Sequence, residues 1–272
     1  MVRSLWTAAT GMLAQQTSLD NIANNLANVN TTGYKTQEIE FKNLLYQEFQ
    51  TKTTSANGET KPSSAQVGLG TRVSSINTNF RQGSFFANDN PTSFAIGGSG
   101  FFAVRGENGN AYYTRNGNFK FTLAANGGNM LADTDGHPVL DVKGEPIILD
   151  AKYMPDKVTV TKDGDICYPD EKNNPQPIGV RIGIWQFNNP NGMYREGDTL
   201  FSTTAASGPA INEYNNNNII KSTINQGYLE GSNVNVADEM VNMITTQRAY
   251  ELNSRAITTS DTMLEQANNL RR

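Results

Sequence analysis

Few side chains in this 272-residue sequence are of the types that carry out acid–base, nucleophilic or metal chemistry. Its one histidine, His137, lies in the turn sequence Asp135-Gly136-His137-Pro138, so a catalytic triad would have to use that residue. Its one cysteine, Cys167, has no Lys, Arg or His within three residues on either side, which gives no indication of an activated thiolate. One thiol and one histidine are too few ligands for a structural zinc site. We expect a solvated loop histidine and an unreactive thiol.

Carboxylates are more numerous, and Asp133, Asp135, Asp163 and Asp165 could supply the pair that a hydrolase requires. They lie in predicted hairpin turns, and this placement argues against the burial that shifts a carboxyl pKa. Asp133, Asp135 and Gly136 also match part of a calcium-binding loop, but the sixth-position glycine and twelfth-position glutamate of an EF-hand are missing. The sequence therefore predicts a β-turn here, with no catalytic residue, metal site or cofactor.

The charge balance of the chain is slightly acidic. It has 26 acidic and 22 basic side chains and a formal net charge of −4. Phosphate binding uses clustered Lys and Arg, so a nucleic-acid partner is not predicted. No stretch approaches the roughly 18 consecutive apolar residues of a membrane span, and the N-terminus lacks the pattern of a cleaved secretion signal. We expect neither membrane insertion nor a cleaved signal peptide, even if the protein leaves the cytoplasm.

The first segment of the chain, residues 4–29, has apolar residues at helical spacing. Four of them recur every seven residues and form a heptad seam: Leu5, Met12, Leu19 and Leu26. Ser4 is a suitable N-cap, and Asn28, Asn30 and Gly33 supply a stop. The pattern predicts a helix of about 26 residues.

The last segment, residues 236–272, repeats this design. Apolar residues again recur every seven residues, and three more widen the stripe: Val236, Met243, Tyr250, Ile257 and Leu264, with Met240, Val241 and Ile244. Asn235 is the expected N-cap. Asp238 and Glu239 in the first turn, and Arg271-Arg272 at the end, suit the helix dipole.

Between the helices the apolar period changes to two, and pairs typical of tight turns recur: Asn116-Gly117, Asn126-Gly127, Asp135-Gly136, Asp163-Gly164 and Asn191-Gly192. Strands are predicted over five segments: 101–105, 111–115, 118–123, 157–162 and 179–187. Tight hairpins are predicted at Asn116-Gly117 and Asp163-Gly164. The polar stretch 51–70 has no pattern and is expected to be an extended arm or a long loop.

The helical seams need partners, because isolated helices are marginal in water. The two helices are expected to pair within one molecule, but alanines spread around more than one face of each helix also favour packing against several neighbours. We therefore expect other copies of the chain to complete part of the seam. The predicted assembly residues are Leu5, Met12, Leu19, Leu26, Val236, Met240, Met243, Ile244, Tyr250, Ile257 and Leu264.

Together these patterns predict an α+β fold. Long N- and C-terminal helices form a coiled-coil-like core layer and bracket an extended arm and a mainly β domain. The expected division is a helical polymerisation domain of residues 1–35 and 236–272, a linker or arm at 36–75 with a polar insertion, and a β-rich outer domain at 76–235.

Four segments resemble the flagellar rod and hook family of axial proteins. Residues 22–35, IANNLANVNTTGYK, resemble its N-terminal signature, and residues 232–257, SNVNVADEMVNMITTQRAYELNSRAI, resemble its C-terminal signature. Residues 98–104, GSGFFAV, and 113–119, YTRNGNF, resemble its β-domain motifs. The resemblance spans nearly the whole chain.

Within this family, the chain is most similar to the subunit of the distal rod. The similarity rests on SLWTAATGM at residues 4–12, on LLYQ at 44–47 and on the modest length, since hook proteins are usually longer in the middle. The stretch 46–70 is similar in placement to the segment that distinguishes the straight distal rod from the flexible hook.

The resemblance implies a structural subunit of the bacterial flagellar distal rod, not an enzyme. Such a subunit is exported through the flagellar type III apparatus and self-assembles into a hollow helical drive shaft, which crosses the periplasm in the basal body and transmits torque from motor to hook. The implied partners are further copies of the chain, proximal rod proteins, the hook protein, the periplasmic and outer-membrane bushing rings, and the export apparatus.

Other interpretations stay open. Another axial protein of this family, from the proximal rod or the hook, would share both terminal signatures. A surface-binding β-module on a helical stalk would have a concave aromatic groove and be a stable monomer. A β-rich hydrolase would use a pair of the four aspartates. Neither of the last two explains both ends of the chain.

Overall fold

The computed structural model describes residues 2–50, 65–124, 127–170, 174–216 and 218–270, apart from the side chains at 2, 49, 50, 65 and 156. The chain divides into two compact units. The helical unit consists of Met1–Ala27, Gln37–Thr78 and Asn235–Arg272, and the β-unit of Asn28–Thr36 and Asn79–Val234. Two terminal helices and a mainly β body make up the predicted α+β composition. Among the described residues, no helix is long and apolar enough to cross a membrane.

Both helices belong to the helical unit and are α1 Val2–Ala27 and α2 Val236–Asn269. The two predicted helices are thereby confirmed. Asn235 is the N-cap of α2, as predicted, and its side-chain oxygen accepts a hydrogen bond from the Ala237 amide over 3.1 Å. The prediction that Ser4 caps α1 is wrong, because α1 already extends to Val2. The predicted end of α2, Arg271-Arg272, lies outside the described residues.

Four short strands of the helical unit form two antiparallel pairs, β1 with β4 and β2 with β3: β1 Gln37–Asn43, β2 Tyr46–Gln50, β3 Ala65–Gly68 and β4 Thr71–Thr78. Most of the arm predicted at 51–70 lies outside the described residues, at 51–64, and the rest forms β3 and the turn to β4. Gly70, in this turn, has a φ of +114°, and a Cβ there would lie 2.2 Å from Oγ1 of Thr10. Only glycine fits such a close approach to α1.

The described part of the β-unit contains strands β5 to β20: Phe85–Ala87, Phe94–Gly97, Phe101–Arg105, Ala111–Thr114, Lys120–Leu123, Asn129–Ala132, Ile148–Leu149, Thr159–Val160, Asp165–Pro169, Pro175–Arg181, Ile184–Gln186, Tyr194–Gly197, Leu200–Ser202, Ile211–Asn212, Thr223–Gln226 and Tyr228–Glu230. The largest sheet has six strands in the order β16-β17-β8-β7-β15-β18. Two three-stranded sheets have the orders β11-β10-β9 and β12-β13-β14.

Strand β7 explains how this unit builds its core. Its sequence FFAVR is apolar on both faces, as expected of a strand that is buried on both sides. Phe102 and Val104 enter one apolar cluster, which includes Phe119, and Phe101 enters a second cluster with Phe201. Neither Phe102 nor Val104 has any exposed surface.

The strand predictions are confirmed in position and corrected in length. The strand predicted at 101–105 is β7, and those predicted at 111–115, 118–123 and 157–162 are shorter in the structure. The segment predicted as one strand at 179–187 is divided between β14 and β15. The division occurs at Gly183, whose amide donates to the Leu140 carbonyl over 3.1 Å and where a Cβ would lie 2.9 Å from the Asp141 carbonyl oxygen.

The hairpin prediction is right at one turn and wrong at another. Asp163-Gly164 does connect the antiparallel strands β12 and β13. Asn116-Gly117 does not form a hairpin, because β8 pairs with β7 and β17 whereas β9 pairs with β10. The Gly117 carbonyl instead accepts a hydrogen bond from the Phe94 amide over 3.0 Å. At the predicted Asn126-Gly127 turn, Asn126 lies outside the described residues.

Candidate subunit-assembly site

The two helices pack against each other in one antiparallel register. The hydroxyl oxygens of Ser4 and Ser260 lie 3.2 Å apart, and the Asn25 side-chain amide donates to Oε1 of Glu239 over 3.3 Å. Between these points, a Cβ added to Gly11 would lie 2.9 Å from the side-chain nitrogen of Asn253. The two residue numbers of each pair add to 264, so the register is constant along the contact.

The surface that α1 presents to α2 is small and polar. Heptad spacing gives Ser4, Gly11, Ser18 and Asn25 on α1, and the register places them opposite Ser260, Asn253, Thr246 and Glu239 on α2. Ser18 and Thr246 are both buried. Small residues let two helices approach closely, but they bury little apolar surface. The contact between the helices is therefore tight without being strongly hydrophobic.

A polar cluster joins α1, α2 and β1 at one end of this contact. The side-chain amides of Asn21 and Asn25 each donate to the Gln37 carbonyl over 2.9 Å, and the Gln37 amide donates to the Asn25 side-chain oxygen over 2.9 Å. Asn25 also donates to Glu239, which is buried. Burial raises the pKa of the Glu239 carboxyl, and the hydrogen bond from Asn25 opposes that change. These bonds fix the relative register of the three elements.

Large apolar side chains lie on the outside of both helices. On α1, Trp6 and Leu13 are seven residues apart on one face and are 64% and 66% exposed. On α2, Val241 is 59% exposed, Ile244 56% and Leu252 64%. Large exposed apolar side chains at several positions of both helices make these outer faces candidate interaction surfaces.

The predicted assembly residues fall into two groups. Those that are half-buried within one chain are Leu5, Met12, Leu19, Leu26, Met243, Ile257 and Leu264. Those that are exposed are Val236, Met240, Ile244 and Tyr250. The predicted residues therefore lie partly at the margins of the contact between α1 and α2 and partly on the outer faces of the helices. The centre of the contact is polar, with Ser18 and Thr246.

Sequence reasoning missed several residues of this site. Trp6, Leu13 and Leu252 lie outside the heptad series on which the prediction rested, although they are among the most exposed apolar side chains of the helices. A glycine at position 11 was an available signal, because glycine in a helix interior is unfavourable unless a close contact requires it. No sequence pattern indicated that Glu239 is buried.

The residues considered for chemistry are placed differently from the prediction. Asp133 does not lie at the surface, as predicted for a turn aspartate, but is 3% exposed, and burial raises the pKa of its carboxyl. One of its oxygens accepts the Thr134 amide hydrogen over 2.7 Å. Possible ligand atoms of Asp133, Asp135 and His137 lie within 4.8 Å of one another, a grouping that the sequence did not predict. The turn itself is confirmed, since Gly136 has a φ of +88°.

The other candidate side chains lie in strands of the β-unit. Cys167 is buried in β13, and burial raises the pKa of its thiol, which disfavours the reactive thiolate. Asp165, in the same strand, accepts two hydrogen bonds from Arg181 at 2.5 and 2.6 Å. The Asp165 carboxylate is therefore part of an ion pair and not of a carboxylate pair.

Comparison with known proteins identifies relatives of this chain over its whole length. Three family models match: a flagella basal body rod protein model at residues 5–35, the D1 domain of flagellar hook protein FlgE/F/G at 95–168, and the C-terminal region of flagellar basal body rod FlgEFG proteins at 225–270.

Full-length relatives carry the name flagellar basal-body rod protein FlgG. That of Borreliella burgdorferi is 41% identical over 100% of both chains. That of Buchnera aphidicola subsp. Schizaphis graminum is 38% identical over 99% of this chain and 100% of its own. That of Agrobacterium fabrum is 38% identical over 96% of this chain and 97% of its own.

Proposed function

Because the chain belongs to the family of flagellar basal-body rod proteins, which are structural subunits and not enzymes, we propose that it polymerises into the distal rod through its two terminal helices. In this proposal residues 1–35 and 236–272 are the polymerisation domain, 36–75 are an arm with a rod-type polar insertion, and 76–235 are the outer β-domain. One observation carries the proposal: the apolar side chains on the outside of α1 and α2.

The polar centre of the helix contact supports an intermolecular role for those apolar side chains. A helix pair that buries its apolar residues internally has no need of neighbours, whereas this pair keeps Trp6, Leu13 and Ile244 exposed. Complete burial of one such side chain is favourable by about 1.5–3 kcal/mol. In a helical polymer every subunit repeats that gain, so we propose that α1 and α2 of many subunits form a coiled-coil-like core layer.

Family membership and the resemblance of the terminal signatures support a proposal for where the polymer lies. We propose a hollow drive shaft that spans the periplasm in the basal body and transmits torque from motor to hook. The subunit would reach it through the flagellar export apparatus. Its neighbours would be proximal rod proteins below, the hook protein above, and the periplasmic and outer-membrane bushing rings outside.

The substitution Ile244→Asp tests this proposal in the full chain. Ile244 is exposed in one molecule, so the variant should keep the wild-type melting temperature, yet burial of an unpaired carboxylate in the polymer costs several kcal/mol. We expect electron micrographs of the concentrated variant to show no filaments under conditions in which the wild type forms them.

A matched control adds the same charge without removing apolar surface. Gln247 is exposed on the same helix and lies fourteen residues before Asp261, on a helical face that is already acidic. Gln247→Glu should form filaments. If Ile244→Asp forms filaments as readily as Gln247→Glu, the outer face of α2 is not an assembly surface.

A further inference from the structure

Three charged side chains are buried together in the β-unit. Lys35 and Glu230 have no exposed side-chain surface, and Arg115 is 2% exposed. All three lie inside or beside the segments that resemble the family signatures, at 22–35, 113–119 and 232–257. Their burial is unusual, because Lys, Arg and Glu are almost never fully buried unless they are paired.

Glu230 is the centre of this group. Its Oε1 accepts hydrogen bonds from Nζ of Lys35 over 2.5 Å and from the Gly83 amide over 2.9 Å. Its Oε2 lies 3.3 Å from the guanidinium of Arg115. Lys35 also donates to the Arg81 carbonyl over 2.8 Å. The carboxylate therefore connects three separate segments of the chain.

The group holds two cations and one anion, and the buried carboxylate of Glu213 also acts on the charge of Arg115. Burial lowers the pKa of Lys35 and of Arg115. The Glu230 carboxylate acts in the opposite direction, but its effect is smaller. The Arg115 Nε is buried and makes no hydrogen bond to any described residue. Replacing buried ion groups by apolar side chains of similar volume is often neutral or stabilising. Added stability is therefore a poor explanation for these three residues.

The chain passes between its two units at four points, after Ala27, Thr36, Thr78 and Val234. Three of the segments that Glu230 connects, at Lys35, at Gly83 and at Glu230 itself, lie within five residues of the last three of these passages. Within the β-unit, the Asn233 side-chain oxygen accepts from both the amide and the hydroxyl of Thr36, at 2.7 and 2.6 Å. The Asn233 side-chain amide donates to the Asn79 carbonyl over 2.8 Å. The β-unit residues at these last three passages therefore belong to one hydrogen-bonded cluster.

Gly33 adds a backbone contact to this cluster. Its amide donates to the Glu230 carbonyl over 2.8 Å, and its φ is +70°. A Cβ at this position would lie 2.5 Å from the backbone nitrogen of Asn116. The segment that follows α1 is therefore held against the residues next to Arg115 by contacts that only glycine allows.

We propose that Lys35, Arg115 and Glu230 form a clasp that gives these three passages a single conformation, and that subunit assembly requires this conformation more than it requires the stability of the clasp. The proposal rests on assembly through the terminal helices. The clasp residues are positioning residues: they are buried within the β-unit and act through the backbone conformation of its segments that end at Thr36, begin at Asn79 and end at Val234.

The triple variant Lys35→Met, Arg115→Met, Glu230→Leu separates conformation from stability in the full chain. We expect a melting temperature equal to or above that of the wild type, and a filament yield lower by roughly tenfold or more, which corresponds to only about 1.4 kcal/mol. A matched control removes the half-exposed pair of the same unit, through Arg181→Met with Asp165→Leu, and should leave the filament yield unchanged. Wild-type filament yield from the triple variant would overturn the proposal.

A second variant needs no assembly and applies even if the triple variant fails to fold. In Glu230→Gln, hydrogen exchange at the Gly33 and Gly83 amides should accelerate by roughly tenfold or more, while the amides of Phe102 and Val104 in the core keep their wild-type rates. Equal acceleration at all four amides would mean that the clasp supports overall stability, and would overturn the proposal. If assembly does not proceed through the helices, the Ile244→Asp variant will still form filaments. That outcome is distinguishable from failure of the clasp proposal.

Discussion

The two units of this chain place apolar and polar side chains in opposite ways. In the β-unit, Phe102 and Val104 have no exposed surface, and the charged clasp around Glu230 is buried as well. In the helical unit, Ser18, Asn25 and Thr246 are buried between elements, while large apolar side chains lie outside. The β-unit has what a self-sufficient fold requires, and the helical unit has what a component of a larger assembly requires.

The contrast explains why one chain can be both a stable subunit and a polymer. Apolar surface that is already buried cannot drive association, whereas the exposed apolar side chains of α1 and α2 can do so. The polar contact between α1 and α2 supplies register instead, through the Asn25 bonds to Gln37 and Glu239. Register and driving force therefore come from different faces of the same helices.

The largest effect on stability should come from the core of the β-unit. Phe102→Ala removes a side chain without exposed surface and should lower the free energy of unfolding by about 3–5 kcal/mol, measured by chemical denaturation. Leu123→Ala, at a position 82% exposed in the same unit, should change it by less than about 0.5 kcal/mol. Similar losses in the two variants would remove the distinction between core and surface.

A smaller effect is expected at the close contact of the helices. Gly11→Leu places a side chain against Asn253 and should destabilise the helix pair by about 1–3 kcal/mol, as followed by helical circular dichroism. The second substitution Asn253→Ala should restore part of the loss, because it empties the space that the leucine needs. Gln16→Leu, on an exposed face of α1, serves as the control. Without any rescue by Asn253→Ala, the register derived above would be wrong.

The smallest effect concerns Glu239 and depends on pH. Its pKa is raised by burial, so its contribution to stability is complete below the ordinary glutamate pKa of about 4.3 and is lost as the pH rises through the raised value in the folded state. Glu239→Gln should therefore raise the melting temperature at about pH 7 and leave it unchanged at about pH 3.5. The exposed Glu251→Gln should show no such rise. An equal change at both pH values would contradict burial of the charge.

Local patterns in the sequence were sufficient for the helices and for most strands, because heptad spacing and period-two alternation reflect local geometry. They failed at Asn116-Gly117, where the partner of the turn is Phe94, more than twenty residues away. For the same reason they missed the burial of Asp133 and Glu239, since burial depends on residues that are distant in sequence. The exposed Trp6 and Leu13 were missed because apolar periodicity was taken to mark a buried face.

Sequence patterns also failed to predict the buried charges of the clasp. Lys35, Arg115 and Glu230 are separated by 80 and 115 positions, and none of them has a local pattern that predicts burial. Only the topology of the β-unit brings them together.

Removal of both helices tests most directly whether folding and assembly belong to different units. A fragment of residues 28–234 retains the whole β-unit, including Lys35. Thermal unfolding and light scattering should show a cooperatively folded monomer at concentrations at which the full chain forms filaments. A fragment that forms filaments, or that unfolds without a cooperative transition, would contradict this division.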